Sequence, residues 1–420
     1  MSLLHNRGFV LLWSGQFLGI LADWSLRTAV LIWVYKLTRS GVAVSLVGLA
    51  EALPLLALAP VAGVFVDRWS RAYTMAGAVL ARVVLLLPLL AVTSRAGLPV
   101  ILLVTLLVNA AAQFFMPAAS AAVPSVVGQE QVGRANGLLS LINGGIAAIG
   151  PGAASLLFIG AGPHGAVLIL GALYLLAAPV LALVPAPRPA AAQTAGTTVL
   201  TEMMDGLRYV RRSPLLVSLT VVAFVALLGV GALTVLDVVF VTRALHLRPE
   251  AVGLLLTSSG IGEAIGSIAT VLISRWAARR YHLLLGLCVI ASGLWLVAYA
   301  FAPTLPVAAA VLFLSGASFP PLIVSFMTLI QLETEDAFLG RVMSLVNTGM
   351  SVAMIASLAG GGTLADLFGV RQVIGGGAIL LVVSGLLSLV AIRSTPAPRV
   401  GTAASAAPAT TTSTVYDVTS

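Results

Sequence analysis

Long apolar blocks fill this chain, each parted from the next by a few polar or charged residues. About twelve such blocks fall near residues 9–36, 42–66, 73–93, 98–123, 135–160, 165–185, 214–243, 250–274, 281–301, 304–330, 342–365 and 370–393. A helix rising ~1.5 Å per residue crosses a ~30 Å hydrocarbon core in about 20 residues, which these blocks supply. The pattern predicts an all-α membrane protein with twelve transmembrane helices. The first block is too long for a signal-peptide core and no small-residue cleavage site follows it, so it is expected to remain as the first helix.

Composition strengthens that reading. Hydrophobic residues make up 60% of the chain and charged residues 9%. Soluble domains carry about 25% charged residues, so this chain could not clothe itself in a water-compatible surface. The net charge of +8 is strung through loops, without the clustered basic patch and interleaved aromatics of a nucleic-acid surface. It works instead as an orientation signal. With both termini inside, Arg7, Arg68, Arg71, Arg134, Arg188, Arg208, Arg211, Arg212, Arg275, Arg279, Arg280, Arg341, Arg393 and Arg399 fall on the cytoplasmic side. Lys36, Arg39, Arg95, Arg243, Arg248 and Arg371 face out, and Arg27 and Arg82 lie within spans, Arg82 placed to snorkel towards the cytoplasmic surface. The single cysteine, Cys288, has no partner for an intramolecular disulfide and reads as a small apolar core residue.

The chain repeats itself. Ser140–Gly145 (SLINGG) returns as Ser344–Gly349 (SLVNTG), and Arg68-Trp69 returns as Arg275-Trp276 at nearly the same offset. Residues 1–185 and 214–393 are accordingly read as two pseudo-symmetric six-helix halves. Residues 186–213 form a cytoplasmic linker rich in Pro, Ala and Thr that ends in a short amphipathic helix around Val199 to Arg212. The tail, 394–420, is Ala, Thr, Ser and Pro with almost no charge, and is expected to be disordered and without chemistry.

Several motifs resemble one family. Gly63 to Arg71 (GVFVDRWSR) is similar to the loop between the second and third helices of major facilitator superfamily transporters. Phe114 to Val123 (FFMPAASAAV) followed by Pro124, the opening His5 to Trp24, Gly133-Arg134-Ala135-Asn136 and Gly340-Arg341-Val342-Met343-Ser344 resemble the macrolide-efflux and enterobactin-exporter branch. The resemblance covers about residues 5 to 393. It implies a bacterial cytoplasmic-membrane exporter, a monomer in the lipid bilayer with both termini cytoplasmic. Alternating access would move an amphipathic small molecule such as a macrolide, another drug or a siderophore, with protons as the coupling partner. A lipid or lysophospholipid translocator of the same fold is the alternative. Gly63, Asp67, Arg68 and Arg71 would form the cytoplasmic gate. Gly145, Gly150, Pro151 and Gly152 (within GIAAIGPG) resemble the fifth-helix motif of exporters, where proline removes a helix hydrogen bond and bends the span. The fourth-helix arginine of many proton antiporters is absent, with Asn109 and Gln113 near its place.

Polar groups inside spans are costly and mark candidate cavity residues. Gln16, Asp23 and Arg27 share one face of the first helix, where Asp23 is either a substrate or proton site or the local partner of Arg27. Glu51 and Glu263 are the other acids well inside spans. Glu263 stands on a stripe with Ser259, Thr270 and Ser274. Asn109 and Gln113 lie one turn apart and face inward, while Asp237 sits near an outer end, where interface solvation would suffice. No enzyme is expected. His5, His164, His246 and His282 lack metal-ligand spacing, and neither a Walker loop nor a G-x-S-x-G elbow is present, so no metal, nucleotide or other cofactor is called for.

Overall fold

The computed structural model describes residues 3–66, 69–185, 199–277 and 280–393. Thirteen α-helices follow in order: α1 (Arg7–Thr38), α2 (Gly41–Val66), α3 (Arg71–Leu86), α4 (Leu98–Val127), α5 (Val132–Ala182), α6 (Val199–Arg212), α7 (Pro214–Val230), α8 (Leu233–Val239), α9 (Val252–Ala277), α10 (Tyr281–Ala300), α11 (Leu305–Glu333), α12 (Asp336–Phe368) and α13 (Val370–Arg393). There is no strand among the described residues. Among the described residues eleven helical segments are long and apolar enough to cross a membrane.

That count differs from the sequence expectation at α5, which runs through 51 residues. Straight, it would extend ~75 Å, more than twice a hydrocarbon core. It is not straight. Gly162 has φ 69° and ψ −176°, non-helical values that glycine tolerates without steric cost, and Pro163 suits the first turn of the segment that follows. Asn6, at the start of α1, donates to the Val126 carbonyl just before α5 begins (3.0 Å), and Gly8 abuts Pro185 just after it ends. Both ends of α5 therefore lie beside the start of α1, and the chain reverses at Gly162.

Two apolar clusters hold the bundle. One runs from α1 through α3, α4 and α5 to α8 and the far end of α12. The other joins α7, α10, α11, α12 and α13 and includes Val210 of α6. The amphipathic helix expected at Val199 to Arg212 is present as α6. It docks on the start of α12, where Tyr209 stacks on Phe338 (4.7 Å) and Arg341 approaches Asp205 (3.5 Å). The repeated motifs lie early in α5 and early in α12.

Candidate functional site

Two cavities open among the helices and share Trp24, Arg27 and Thr234 in their walls. The first, about 340 Å³, is lined by Asp23, Arg27, Glu51, Asn109, Gln113 and Tyr174 among apolar side chains of α1 to α4, with Met354 and Leu358 of α12. The second, about 410 Å³, lies between α1 and α5 on one side and α7 to α11 on the other, and takes in Pro151, Asp237, Ser259 and Glu263. Both fall in the size range of small-molecule sites, ~300–1,000 Å³.

The acids and arginines of these walls pair differently from their spacing in sequence. Asp23 does not neutralise Arg27. Its carboxylate accepts from Arg82 Nη1 through both oxygens (2.7 and 2.9 Å) and from the Tyr174 hydroxyl (2.5 Å). Arg82 does not snorkel: its side chain is 1% exposed, with its guanidinium over the rings of Phe115 and Tyr174. A guanidinium so far from water needs an anion beside it, and Asp23 is the acid within reach. Arg27 turns instead to Glu51 of α2 (3.0 Å). Asp237 is not solvated at an interface either. It is buried and accepts from the Tyr299 hydroxyl (2.8 Å).

Asn109 and Gln113 donate back to the Thr105 and Asn109 carbonyls of α4 (2.9 and 3.2 Å), and both line the first cavity. Gln16 is buried in α1 and lines neither cavity. Of the α9 stripe, Ser259 and Glu263 face the second cavity, whereas Thr270 is buried and bonds the Gly266 carbonyl. The Ser274 side chain lies outside the described residues. Gly150, Pro151 and Gly152 stand where α5 touches two partners. A Cβ on Gly150 would meet Trp24 Cβ at 2.8 Å, and one on Gly152 would meet Thr257 Oγ1 at 2.7 Å, while Gly145 has open space. The backbone stays helical through Pro151. Ser25 Oγ donates to the Gly150 carbonyl (3.1 Å), tying α1 to this crossing. Of the expected gate, Asp67 and Arg68 lie outside the described residues. Gly63 is in α2, and Arg71 Nη1 bonds the Ala121 carbonyl of α4 at 2.7 Å.

Sequence reasoning missed the seal at the far end of the bundle, away from the chain's start. Lys36 pairs with Glu250. The Asp366 carboxylate, near the end of α12, accepts from Ser40 Oγ (3.1 Å), the Gly41 and Val42 amides (3.0 and 3.2 Å) and Arg243 Nη1 (2.6 Å). It thus caps the first turn of α2, whose free N–H groups and dipole favour an anion. Arg243 Nη2 also bonds the Arg39 carbonyl (2.7 Å). Apart from the Arg243–Asp366 pair, which lies within residues 214–393, residues 1–185 supply one side of each bond and residues 214–393 the other. Ser40 Oγ also accepts from the Ala43 amide (3.4 Å), so a local cap and a carboxylate from far along the chain share the first turn of α2.

A helical bundle with polar-lined cavities among spanning segments defines a multi-pass membrane transporter. Residues 1–410 match the family described as transmembrane secretion effector, and the chain belongs to that family of major facilitator transporters rather than to any enzyme class. It is 25% identical over 397 residues to the uncharacterized MFS-type transporter YfiS of Bacillus subtilis, covering 92% of this chain and 93% of that one. It is 24% identical to macrolide efflux protein A of Streptococcus pyogenes (87% and 91% covered) and 27% identical to the multidrug efflux pump Tap of Mycolicibacterium fortuitum (78% and 81%). Among solved structures, a bacterial homologue of the human lysosomal transporter Spinster, inward-facing and unoccupied, superposes with a TM-score of 0.74 at 16% identity, covering 93% and 97%, and shares the fold.

Proposed function

We propose that this protein is a secondary active exporter of an amphipathic small molecule, working by alternating access between two six-helix halves. In this reading the chain crosses a bacterial cytoplasmic membrane twelve times, α5 contributing two crossings and α7 with α8 one, with both termini in the cytoplasm. The observation that carries it is the asymmetry of the contacts between halves. Beyond the Lys36–Glu250 pair and the Asp366 cap on α2 at the far end, Gly41 and Gly48 of α2 pack on Gly362 and Leu358 of α12, and Gly253 and Gly260 of α9 on Ser155 and Ala148 of α5. Nearer the termini, a Cβ on Gly144, Gly145 or Gly349 would meet nothing within 4 Å. A bundle closed at one end, with cavities behind the closure, is the arrangement that rocking halves require. Asp67, Arg68 and Arg71 are proposed as the opposing cytoplasmic gate.

The efflux names of two relatives support export, with a macrolide or another drug ahead of a siderophore. Lipid translocation is less well supported, because Arg27, the cation a head group would need, is engaged by Glu51. Proton antiport completes the proposal, with Asp23 as carrier: its side chain is about a third exposed to the first cavity, beside Arg82 and Tyr174. The test is reconstitution in proteoliposomes without ATP. An imposed pH gradient should drive macrolide flux, and Asp23→Asn should abolish the drive. Flux indifferent to the gradient would remove proton coupling, and gradient-driven flux in Asp23→Asn would remove Asp23.

A further inference from the structure

We propose that Glu263 is the recognition carboxylate of a lipophilic organic cation bound in the second cavity; this deepens the export reading by naming a substrate class. Leu256, Ser259 and Glu263 lie at i, i+3 and i+7 on the face of α9 that lines this cavity. Two other faces of α9 are fixed by close packing. Gly262 and Gly266 lie so close to the backbone of Phe313 and Ala317 in α11 that a Cβ would overlap it, and Gly253 and Gly260 are equally close to Pro151, Ser155 and Ala148 of α5. The helix cannot rotate without breaking these crossings, so the carboxylate is held towards the cavity.

The charges around it leave Glu263 unmatched. Asp23 has Arg82 and Tyr174, Glu51 has Arg27, and Asp237 has Tyr299. Among the described residues Arg27 is the one basic residue in the second cavity's lining, and it is taken by Glu51. Among the described residues the Glu263 side chain has neither a hydrogen bond nor an ion pair. An ionised carboxylate in such a place calls for a counter-charge. Around it the wall is mainly apolar and includes the aromatic side chains Trp24, Phe319 and Phe326, a residue type whose rings attract a desolvated cation. A ligand with one positive charge on a bulky hydrocarbon body satisfies both parts of the wall. A neutral or anionic amphiphile satisfies only the apolar part.

The test uses two probes of matched shape and opposite charge, tetraphenylphosphonium and tetraphenylborate, on the purified full-length protein in nanodiscs by equilibrium dialysis. The wild type should prefer the cation. Glu263→Gln should weaken cation binding at least about tenfold, a loss of about 1.4 kcal/mol, and strengthen anion binding, while Glu263→Asp retains the cation. An unchanged thermal unfolding temperature verifies that Glu263→Gln is folded. Equal cation affinity in Glu263→Gln, or a wild type without cation preference, would overturn the assignment and point to a neutral, protonated Glu263. Binding needs no flux. A protein that binds the cation in this charge-dependent way but moves nothing across proteoliposomes would sink the export reading and leave this site standing.

Discussion

Replacing Asp366 with alanine should unlatch the far end of the bundle. The substitution removes four acceptor contacts at once, and alanine keeps α12 helical. A carboxylate at a helix N-terminus contributes about 0.3–1 kcal/mol. The bond from Ser40 adds up to about 1 kcal/mol, with water replacing part of it, whereas the pair with Arg243 lies within residues 214–393 and is not broken by opening. The total across the two halves is about 1.4 kcal/mol, or roughly a tenfold shift in the balance between closed and open ends. A resting ratio of about 99:1 would fall to about 10:1, which makes the open state measurable. Spin labels on Ser94 and Thr304, both exposed at that end, in a Cys288→Ala background would read it by pulsed dipolar spectroscopy. A second, longer distance should appear in Asp366→Ala and be absent from the parent. Identical distance distributions would refute the latch.

Three further outcomes follow from the packing. Arg82→Ala should destabilise the protein by about 3 kcal/mol, seen as a lower unfolding temperature in detergent, because it leaves Asp23 without its counter-charge; Asp23→Asn with Arg82→Met should recover much of that loss, and unchanged melting in Arg82→Ala would refute the pairing. Gly377→Ala should cost about 1–3 kcal/mol, since a Cβ there overlaps the Gly229 carbonyl where α13 crosses α7, and a neutral effect in the same melt would show that the crossing is looser than this. A cysteine at Ser70, whose side chain makes no cap bond to α3, should be shielded from impermeant maleimide in intact cells and react in inverted vesicles; labelling in intact cells would reverse the orientation.

Much of this architecture was legible from pattern alone. Span positions, the α6 helix and the inward-facing Asn109 and Gln113 follow from local periodicity, which a sequence displays directly. Pairing was not legible. Asp23 and Arg27 stand at i and i+4, a spacing that favours a local bond, yet each finds its partner on another helix. The reason is energetic: Arg82 is cut off from water and would otherwise bury an uncompensated charge, so it claims Asp23. The boundary inside α5, between the blocks at 135–160 and 165–185, was legible although no loop marks it. Gly162 alone leaves helical geometry, so the reversal interrupts the helix without a loop. The role of Asp366 has no local signature, because the helix it caps begins some 300 residues earlier.

Alternating access can be read most directly at Asn109, which lines the first cavity behind the Asp366 seal. In a Cys288→Ala background, a cysteine at position 109 should react with impermeant maleimide from the terminus-bearing side only. Adding Asp366→Ala should make it reactive from the opposite side as well. Reaction from both sides with the seal intact, or from the sealed side alone, would contradict the account.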